Sequence, residues 1–294
     1  MIIRQIIAET RRQLSGKYPD TEIDSFIRIL FMQYLNMTAV EIHLSQEREV
    51  FPEIDRQILT AVGEFAKFRP IQYITGKTEF YGLQFELTPD VLIPRPETEE
   101  LVDWIIQNSK FGNRKSEIGN QKSKINIIDI GTGSGCIAVA LKANLPDADV
   151  RAIDVSEPAL SVARRNAAKN SVKINFIQLD ILTGDLKCFV DNSLDVIVSN
   201  PPYVTPSEKD EMQPNVLEYE PHCALFTPED DPLIFFKRIA ILGIKILKDG
   251  GKIFFEINER YHLEVANILK QHGFSEISPR KDINGKWRMI SARK

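Results

Sequence analysis

Residues 127–141, IIDIGTGSGCIAVAL, place a β-strand, a glycine-rich loop and the start of a helix in direct succession. Gly131, Gly133 and Gly135 let the loop backbone turn sharply and approach a ligand closely, because glycine has no side chain to clash. Cys136 stands where a dinucleotide-binding GxGxxG loop has its third glycine, which disfavours a nicotinamide oxidoreductase. The loop taken alone is equally compatible with a tight turn that binds nothing.

The chain after residue 125 alternates strands with helices. Runs rich in Ile, Val and Phe predict strands at 125–130, 148–155, 173–180, 194–200 and 250–257. Helical periodicity predicts helices near 136–145, 156–170, 231–248 and 259–272. This alternation predicts an α/β fold whose mostly parallel sheet is covered by helices on both faces. In such sheets a ligand binds outside the carboxyl ends of the strands.

Acidic residues end the next two predicted strands. Asp154 follows the glycine loop by about 20 residues, the spacing at which an acid accepts the hydroxyl hydrogens of a ribose. Its alternative role is to cap the helix that starts near Ser156. At the third strand end, Asp180 is suited to bind the amino group of adenine and Ile181 to lie beside the ring, although Asp180 alone could be a turn residue.

The residues at these three strand ends would form a pocket for adenosine, and the chain has no pyrophosphate-binding motif. This combination resembles the S-adenosylmethionine-dependent methyltransferases. The resemblance implies a Rossmann-like class I methyltransferase sheet. It also implies that Asp129 orients the glycine loop near the methionine part of the donor. The donor-binding residues predicted in this way are Asp129, Gly131, Thr132, Gly133, Ser134, Gly135, Asp154, Asp180, Ile181 and Asn200.

The fourth predicted strand runs into Asn200, Pro201, Pro202 and Tyr203, beside the expected donor site. An amide or amino nitrogen is a poor nucleophile, because its lone pair is delocalised. The Asn200 side-chain oxygen and the Pro201 carbonyl oxygen can hold its two N–H hydrogens while the nitrogen pyramidalises. The prolines fix the direction of these acceptors, and Tyr203 offers a flat wall. The alternative is an ordinary proline turn.

Four further stretches resemble the HemK-type release factor glutamine methyltransferases. They cover residues 70–104, 218–226, 250–257 and 281–290. The resemblance implies methyl transfer to the glutamine of the Gly-Gly-Gln loop in class 1 peptide-chain release factors, with residues 200–203 as the catalytic and substrate-binding motif. We also expect a lid over the donor pocket, lined by Arg95, Pro96, Glu97 and Thr98; the alternative for Arg95 is a structural salt bridge. Glu220 and Pro221 are expected to shape the acceptor cleft, and their alternative is a plain loop.

Other functions share the Asn-Pro-Pro-Tyr motif. A ribosomal-protein glutamine methyltransferase is the nearest alternative, although IPRPETEEL at residues 93–101 looks more like the release-factor branch. A DNA or RNA amino methyltransferase is disfavoured by the net charge of −4, since nucleic-acid proteins carry a basic surface. A non-catalytic donor-binding adaptor would not need the intact motif.

Composition and pattern divide the chain into three parts. Residues 1–70 contain few glycines and predict a helical substrate-docking domain, in which one helix has Asp20 or Thr21 as its cap and another has Pro52 in its first turn. Residues 71–90 predict a hairpin connector that turns near Gly82. Residues 91–294 form the predicted methyltransferase domain, which includes a polar, flexible insert at 109–124.

Cysteine spacing and hydropathy exclude several further classes. Cys136, Cys188 and Cys223 share no CxxC spacing, so we expect neither a disulfide framework nor a metal site. No apolar run approaches the ~18 residues that span a bilayer, so we expect no membrane association. We expect a cytoplasmic monomer that uses S-adenosylmethionine, binds class 1 release factors and does not bind nucleic acid directly.

Overall fold

The computed structural model describes residues 1–111, 124–184 and 190–294. Most of the predicted insert at 109–124 therefore lies outside the described residues, as does Cys188. Residues 109–111 belong to the end of a helix, so the first three residues of the predicted insert are helical.

The described residues form two compact units. The smaller unit joins the amino-terminal helices to a short later segment, and the larger one contains the sheet. Their bounds are Met1–Lys77 with Gln213–Tyr219, and Thr78–Met212 with Glu220–Lys294.

The smaller unit is helical. Its helices are α1 Ile3–Leu14, α2 Asp20–Leu35, α3 Ala39–Leu44, α4 Pro52–Phe65, α5 Ile71–Thr75 and, from the later segment, α9 Pro214–Leu217. Ile6, Leu30 and Ile58 are each at most 1% exposed, and burying an aliphatic side chain of this size contributes about 1.5–3 kcal/mol. The buried apolar side chains of α1 to α4 therefore meet in one core.

Two details at the helix ends test the sequence predictions. Pro52 is the first residue of α4, as predicted. The predicted cap of α2 is wrong: the helix begins at Asp20 after Pro19, and no side chain caps it. Proline has φ restricted to values that suit this position, so the chain enters the helix without a polar cap.

The larger unit begins with a hairpin. Strands β1 Lys77–Phe80 and β2 Leu83–Glu86 form a two-stranded sheet. Tyr81 and Gly82, with φ of 51° and 72°, make the turn between them. The turn therefore lies where the sequence predicts it.

The main sheet has seven strands. They are β3 Asn126–Ile130, β4 Asp149–Asp154, β5 Asn175–Gln178, β6 Leu194–Ser199, β7 Leu247–Glu256, β8 Ser275–Lys281 and β9 Trp287–Arg293. The order across the sheet is β5-β4-β3-β6-β7-β9-β8. The first five strands run parallel and β9 runs antiparallel to both of its neighbours. The chain reverses its direction of travel across the sheet between β3 and β6, which is where such sheets bind ligands.

Helices cover both faces of the sheet. They are α6 Pro96–Phe111, α7 Cys136–Asn144, α8 Glu157–Lys169, α11 Ile234–Ile246 and α12 His262–Gln271. The larger unit also contains the short helix α10 His222–Leu225. Ile127 packs with α6 and α7 in one apolar cluster, whereas Ile128 packs with α11 and α12 in another. Successive side chains of a strand point to opposite faces, so β3 has both faces buried. The predicted fold class is confirmed.

Candidate active site

A cavity of the larger unit lies at the carboxyl ends of β3, β4, β5 and β6. Its volume is about 1060 Å³, which includes the part of the cavity that is open to solvent. Most of the site residues that the sequence predicts line this cavity: Gly131, Thr132, Gly133, Ser134, Asp154, Asp180, Ile181, Asn200, Pro201 and Pro202. Asp129, Gly135 and Tyr203 are not among the lining residues. The four strand ends therefore meet at one site, as the parallel topology requires.

The glycine loop forms one wall of the cavity. Gly131 and Gly133 have φ of +73° and +54°, and a Cβ atom on either would meet no heavy atom within 4 Å. These two glycines therefore adopt a left-handed backbone conformation that other residues rarely adopt, and the space beside them is open. The buried Asn166 of α8 fixes the loop, since its Nδ2 donates to the Ser134 carbonyl at 2.9 Å.

Asp129 lies behind the loop and is fully buried. Its Oδ2 accepts from the Thr132 hydroxyl at 2.6 Å, whereas its Oδ1 has no hydrogen-bond partner. Burial raises the pKa of Asp129 to about 7, and the nearby Asp154 adds to the increase. The carboxyl group thus holds the Thr132 side chain of the loop from behind.

Asp154 ends β4 at the cavity. Its Oδ2 accepts from the Gly133 N–H at 2.8 Å and its Oδ1 from the Ser156 N–H at 2.9 Å. The cap of α8 is Ser156, whose side chain accepts from the Ala159 N–H at 3.2 Å. Each carboxylate oxygen has two lone pairs, so Asp154 can still accept from a ligand hydroxyl.

Asp180 and Ile181 follow β5. The carboxylate of Asp180 accepts from the Leu182 N–H at 2.8 Å and from the Thr183 hydroxyl at 2.6 Å, and the bond from Thr183 lowers its pKa. Asp180 is therefore both a turn residue and a cavity residue. Ile181 is 8% exposed, and its carbonyl accepts from Arg238 Nε at 2.9 Å.

Asn200 begins the motif after β6, and its Nδ2 lies 3.5 Å from the Thr98 hydroxyl oxygen. Pro201 and Pro202 continue the cavity wall. The Tyr203 ring packs against the core, and its hydroxyl donates to Glu256 Oε1 at 3.1 Å. Asn258 Nδ2 donates to the Tyr203 carbonyl at 3.3 Å.

The start of α6 and the residue before it form another wall of the cavity. Arg95 and Thr98 line it, whereas Pro96 and Glu97 do not. Glu220 is buried, and it accepts from Arg95 Nη2 at 2.6 Å and from the Ile93 N–H at 3.1 Å. Arg95 is thus a cavity residue and an ion-pair partner at once.

Pro221 precedes α10, whose Cys223 and Ala224 also line the cavity. Cys223 is exposed and has a free thiol. In the part of the chain that the structure describes, no group of three or more His, Cys, Asp or Glu side chains is arranged to hold a metal ion. None of the described helices is long and apolar enough to cross a membrane.

Sequence reasoning missed two residues of the site. Glu256, at the end of β7, is 1% exposed and contacts Thr98 and Tyr203. Asn166 fixes the glycine loop from α8. The sequence did contain an indication of Glu256, because burying an ionisable side chain within the apolar run KIFFEI costs free energy unless the side chain has partners. Asn166 lies in a polar stretch of its helix and had none.

Two known families match parts of the chain. The PrmC N-terminal domain family matches residues 5–76, and the methyltransferase small domain family matches residues 116–218. Two solved structures share the fold. A methyltransferase from Pyrococcus furiosus has a TM-score of 0.51 at 21% identity and covers 83% of this chain and 99% of its own. Human methyltransferase 10 domain containing protein has a TM-score of 0.51 at 20% identity and covers 73% of this chain and 90% of its own.

Two curated relatives match over nearly the whole length. The release factor glutamine methyltransferase of Flavobacterium psychrophilum is 42% identical over 99% of this chain and 98% of its own. That of Bacteroides thetaiotaomicron is 40% identical over 99% of both chains. Identity at this level over full length shows a common family. The chain belongs to the release factor glutamine methyltransferases.

Proposed function

We propose that the chain transfers a methyl group from S-adenosylmethionine to the side-chain amide nitrogen of the glutamine in the Gly-Gly-Gln loop of class 1 release factors. The observation that supports the proposal is that Asn200 and Pro201 line the same cavity as the glycine loop and Asp154. The first two are acceptors for an amide, and the others suit a nucleoside donor. The family of the chain agrees with the proposal.

The residues of the cavity fit the proposed donor. The open space beside Gly131 and Gly133 admits a ligand directly against the backbone. Asp154 has lone pairs left for the ribose hydroxyls, and Ile181 presents an apolar surface for the adenine. When bound, S-adenosylmethionine supplies an electrophilic methyl group on a sulfonium. The chain's own part is to hold that group near the end of β6.

Asn200 and Pro201 act on the acceptor. The Asn200 side-chain oxygen and the Pro201 carbonyl oxygen each accept one N–H hydrogen of the glutamine amide, so the nitrogen can pyramidalise. The nitrogen then forms a bond to the methyl carbon while the carbon–sulfur bond breaks, and its electron pair stays on sulfur. The nitrogen finally releases one proton to water. Orientation and electrostatic complementarity supply the catalysis.

We also propose that the helical unit docks the release factor and that the enzyme works as a monomer in the cytoplasm. The unit exposes large apolar side chains, with Met32 59%, Leu44 77% and Phe51 75% exposed. A partner that covers such side chains removes apolar surface from water, which is favourable. A glutamine in a glycine-rich loop offers few features of its own, so specificity needs contacts elsewhere.

Transfer of a tritiated methyl group tests the function. S-adenosylmethionine labelled in this way is offered with a purified class 1 release factor, a ribosomal protein or DNA, each alone. The proposal expects label in the release factor only. Label in the ribosomal protein alone supports the nearest alternative, and label in DNA contradicts a protein substrate.

A further inference from the structure

A buried carboxylate connects two parts of the cavity wall. Glu256 Oε2 accepts from the Thr98 hydroxyl at 2.6 Å, and Glu256 Oε1 accepts from the Tyr203 hydroxyl at 3.1 Å. Thr98 belongs to α6 and Tyr203 to the motif after β6. Glu256 itself is 1% exposed. A buried carboxylate is stable only when its oxygens are paired, and here both accept from site residues.

The direction of these bonds decides how Asn200 is oriented. The Thr98 hydroxyl has one hydrogen, and it points to Glu256. Toward Asn200 the Thr98 oxygen can therefore only accept, and its neighbour there is Asn200 Nδ2 at 3.5 Å. The two ends of an amide have similar shape, so the hydrogen-bond network sets which end faces where. With Nδ2 toward Thr98, the Asn200 oxygen is left for another donor.

We infer that Glu256 is a positioning residue: through the Thr98 hydroxyl it holds the Asn200 amide so that Oδ1, not Nδ2, accepts from the amide to be methylated. The inference rests on the proposed function, because it assigns Asn200 Oδ1 to the acceptor nitrogen. Glu256 does not touch the substrate. It also fixes Tyr203 by accepting from the ring hydroxyl.

Protonation of Glu256 reverses this arrangement. A carboxylic acid has its own O–H to donate, so one of its two partners must accept instead. If that partner is Thr98, its hydrogen is free to point at Asn200, which favours the flipped amide. Ionised Glu256 therefore belongs to the productive state.

Among the described residues, the charged or titratable groups that interact with the Glu256 carboxyl group are Arg288 of β9, Glu97 of α6, the Tyr203 hydroxyl and the Cys136 thiol of α7. Burial raises the pKa of Glu256, whereas the bond from Thr98 and the charge of Arg288 oppose the increase. The rate at saturating donor should thus rise with pH as Glu256 ionises.

Matched variants test the inference. Glu256→Gln keeps the shape but not the two-acceptor carboxylate, and Thr98→Val removes only the hydroxyl. Both should lower kcat about 10- to 100-fold, in line with the loss of a group that orients a transition-state hydrogen bond, while the Kd for the donor stays within about twofold. The double variant should be no worse than the more damaging of the two single variants, since the two residues act on Asn200 in series.

Two controls separate positioning from general damage. Thr98→Ser keeps the hydroxyl and should recover most of the rate lost in Thr98→Val. Asp195→Asn changes an acid near the opposite end of the sheet, where Asp195 pairs with Lys248 at 2.7 Å, and should leave kcat unchanged. The acidic limb of the kcat profile should disappear in Glu256→Gln. The inference would be overturned if Glu256→Gln had the wild-type kcat or kept the acidic limb of the kcat profile. It would also be overturned if Thr98→Ser and Thr98→Val lowered kcat equally.

A readout without turnover distinguishes this inference from the proposed function. The side-chain amide signals of Asn200 in a ¹⁵N spectrum can be assigned by their loss in Asn200→Ala. They should shift in Glu256→Gln and in Thr98→Val, and stay close to their wild-type position in Thr98→Ser. If the wild type does not label a release factor, the proposed function fails, and this spectrum still decides whether Glu256 orients Asn200. Unchanged signals in both variants contradict the inference.

Discussion

Asn200 presents two chemically different ends to its surroundings, and only one of them suits an amide substrate. Its Nδ2 faces Thr98 at 3.5 Å, so its oxygen is the end that can accept from a substrate N–H. Pro201 cannot donate through its own nitrogen, so its carbonyl adds a second acceptor without a competing donor. The chemistry proposed for the site is therefore hydrogen-bond acceptance, not base catalysis.

Asn200→Ala should separate donor binding from transfer. The change removes one fixed acceptor of the reacting amide, so the turnover should fall at least about 100-fold, as is typical for such groups. Donor affinity should remain mostly intact, because Asp154 and the glycine loop are unchanged. Calorimetry with the donor and single-turnover methylation measure the two quantities. Near-normal turnover would contradict the role given to Asn200.

Asp129 should make the stability of the fold depend on pH. Its pKa is about 7 in the folded chain and about 3.9 in an unfolded one. Between these values the folded state binds a proton that the unfolded state has released, so the contribution of Asp129 to stability falls as the pH rises. Below about pH 4 that contribution is fully present.

Urea denaturation of the wild type and of Asp129→Asn measures this effect. The free energy of unfolding of the wild type should fall relative to that of the variant by roughly 1 kcal/mol per pH unit, from about pH 4 to 7. The comparison with the variant cancels the titration of the other acids. Two curves that run parallel with pH would contradict the raised pKa.

At the scale of elements, the loop between β3 and α7 both borders the cavity and lets two helices pack closely, and different glycines serve the two roles. Gly131 borders open space, whereas a Cβ atom on Gly135 would lie 3.0 Å from Ala163 Cβ and 3.2 Å from Ala163 Cα on α8. Gly131 therefore serves the cavity. Gly135 lets α7 begin in close contact with α8.

The two alanine variants should differ in stability. Both positions have positive φ, +73° and +80°, so each change costs about 1–2 kcal/mol of backbone strain. Gly135→Ala must also displace α8, and it should lower the free energy of unfolding by more than Gly131→Ala does. Urea denaturation measures the difference. An equal loss in the two variants would show that α8 yields freely.

The sequence predicts the parallel strands and most of the cavity because both follow from local patterns. Apolar runs give β3 to β7, and the residues that follow four of these strands converge through the topology. β8 and β9 were not predicted, since β8 carries Pro279 and charged residues in place of an apolar run. Glu256 and Asn166 were not predicted, because their roles depend on contacts between residues far apart in the sequence.

At the scale of the whole molecule, one segment of chain after the Asn-Pro-Pro-Tyr motif contributes residues to both units. Residues 204–227 leave the motif at Tyr203, and Val204 and Phe226 form a β-bridge where the segment returns. Within it, Gln213–Tyr219 cluster with the helical unit, where the Tyr219 hydroxyl donates to the Lys67 carbonyl at 2.8 Å. Chain connectivity thus ties the proposed docking unit to the acceptor motif.

Docking predicts a difference between large and small substrates. Met32→Ser and Leu44→Ser change exposed apolar side chains of the helical unit, and together they should raise KM for the whole release factor several-fold. A short Gly-Gly-Gln peptide should be affected little. Leu263→Ser, at a site 63% exposed on the sheet unit, is the matched control. Equal effects on peptide and whole protein would contradict docking by these helices.

The position of the transferred methyl group tests the central claim most directly. A class 1 release factor methylated by the enzyme is digested and sequenced by tandem mass spectrometry, beside a factor in which the Gly-Gly-Gln glutamine is replaced by alanine. The proposed function predicts one methyl group on the side-chain amide of that glutamine and none on the substituted factor. A methyl group on any other residue, or methylation of the substituted factor, would contradict it.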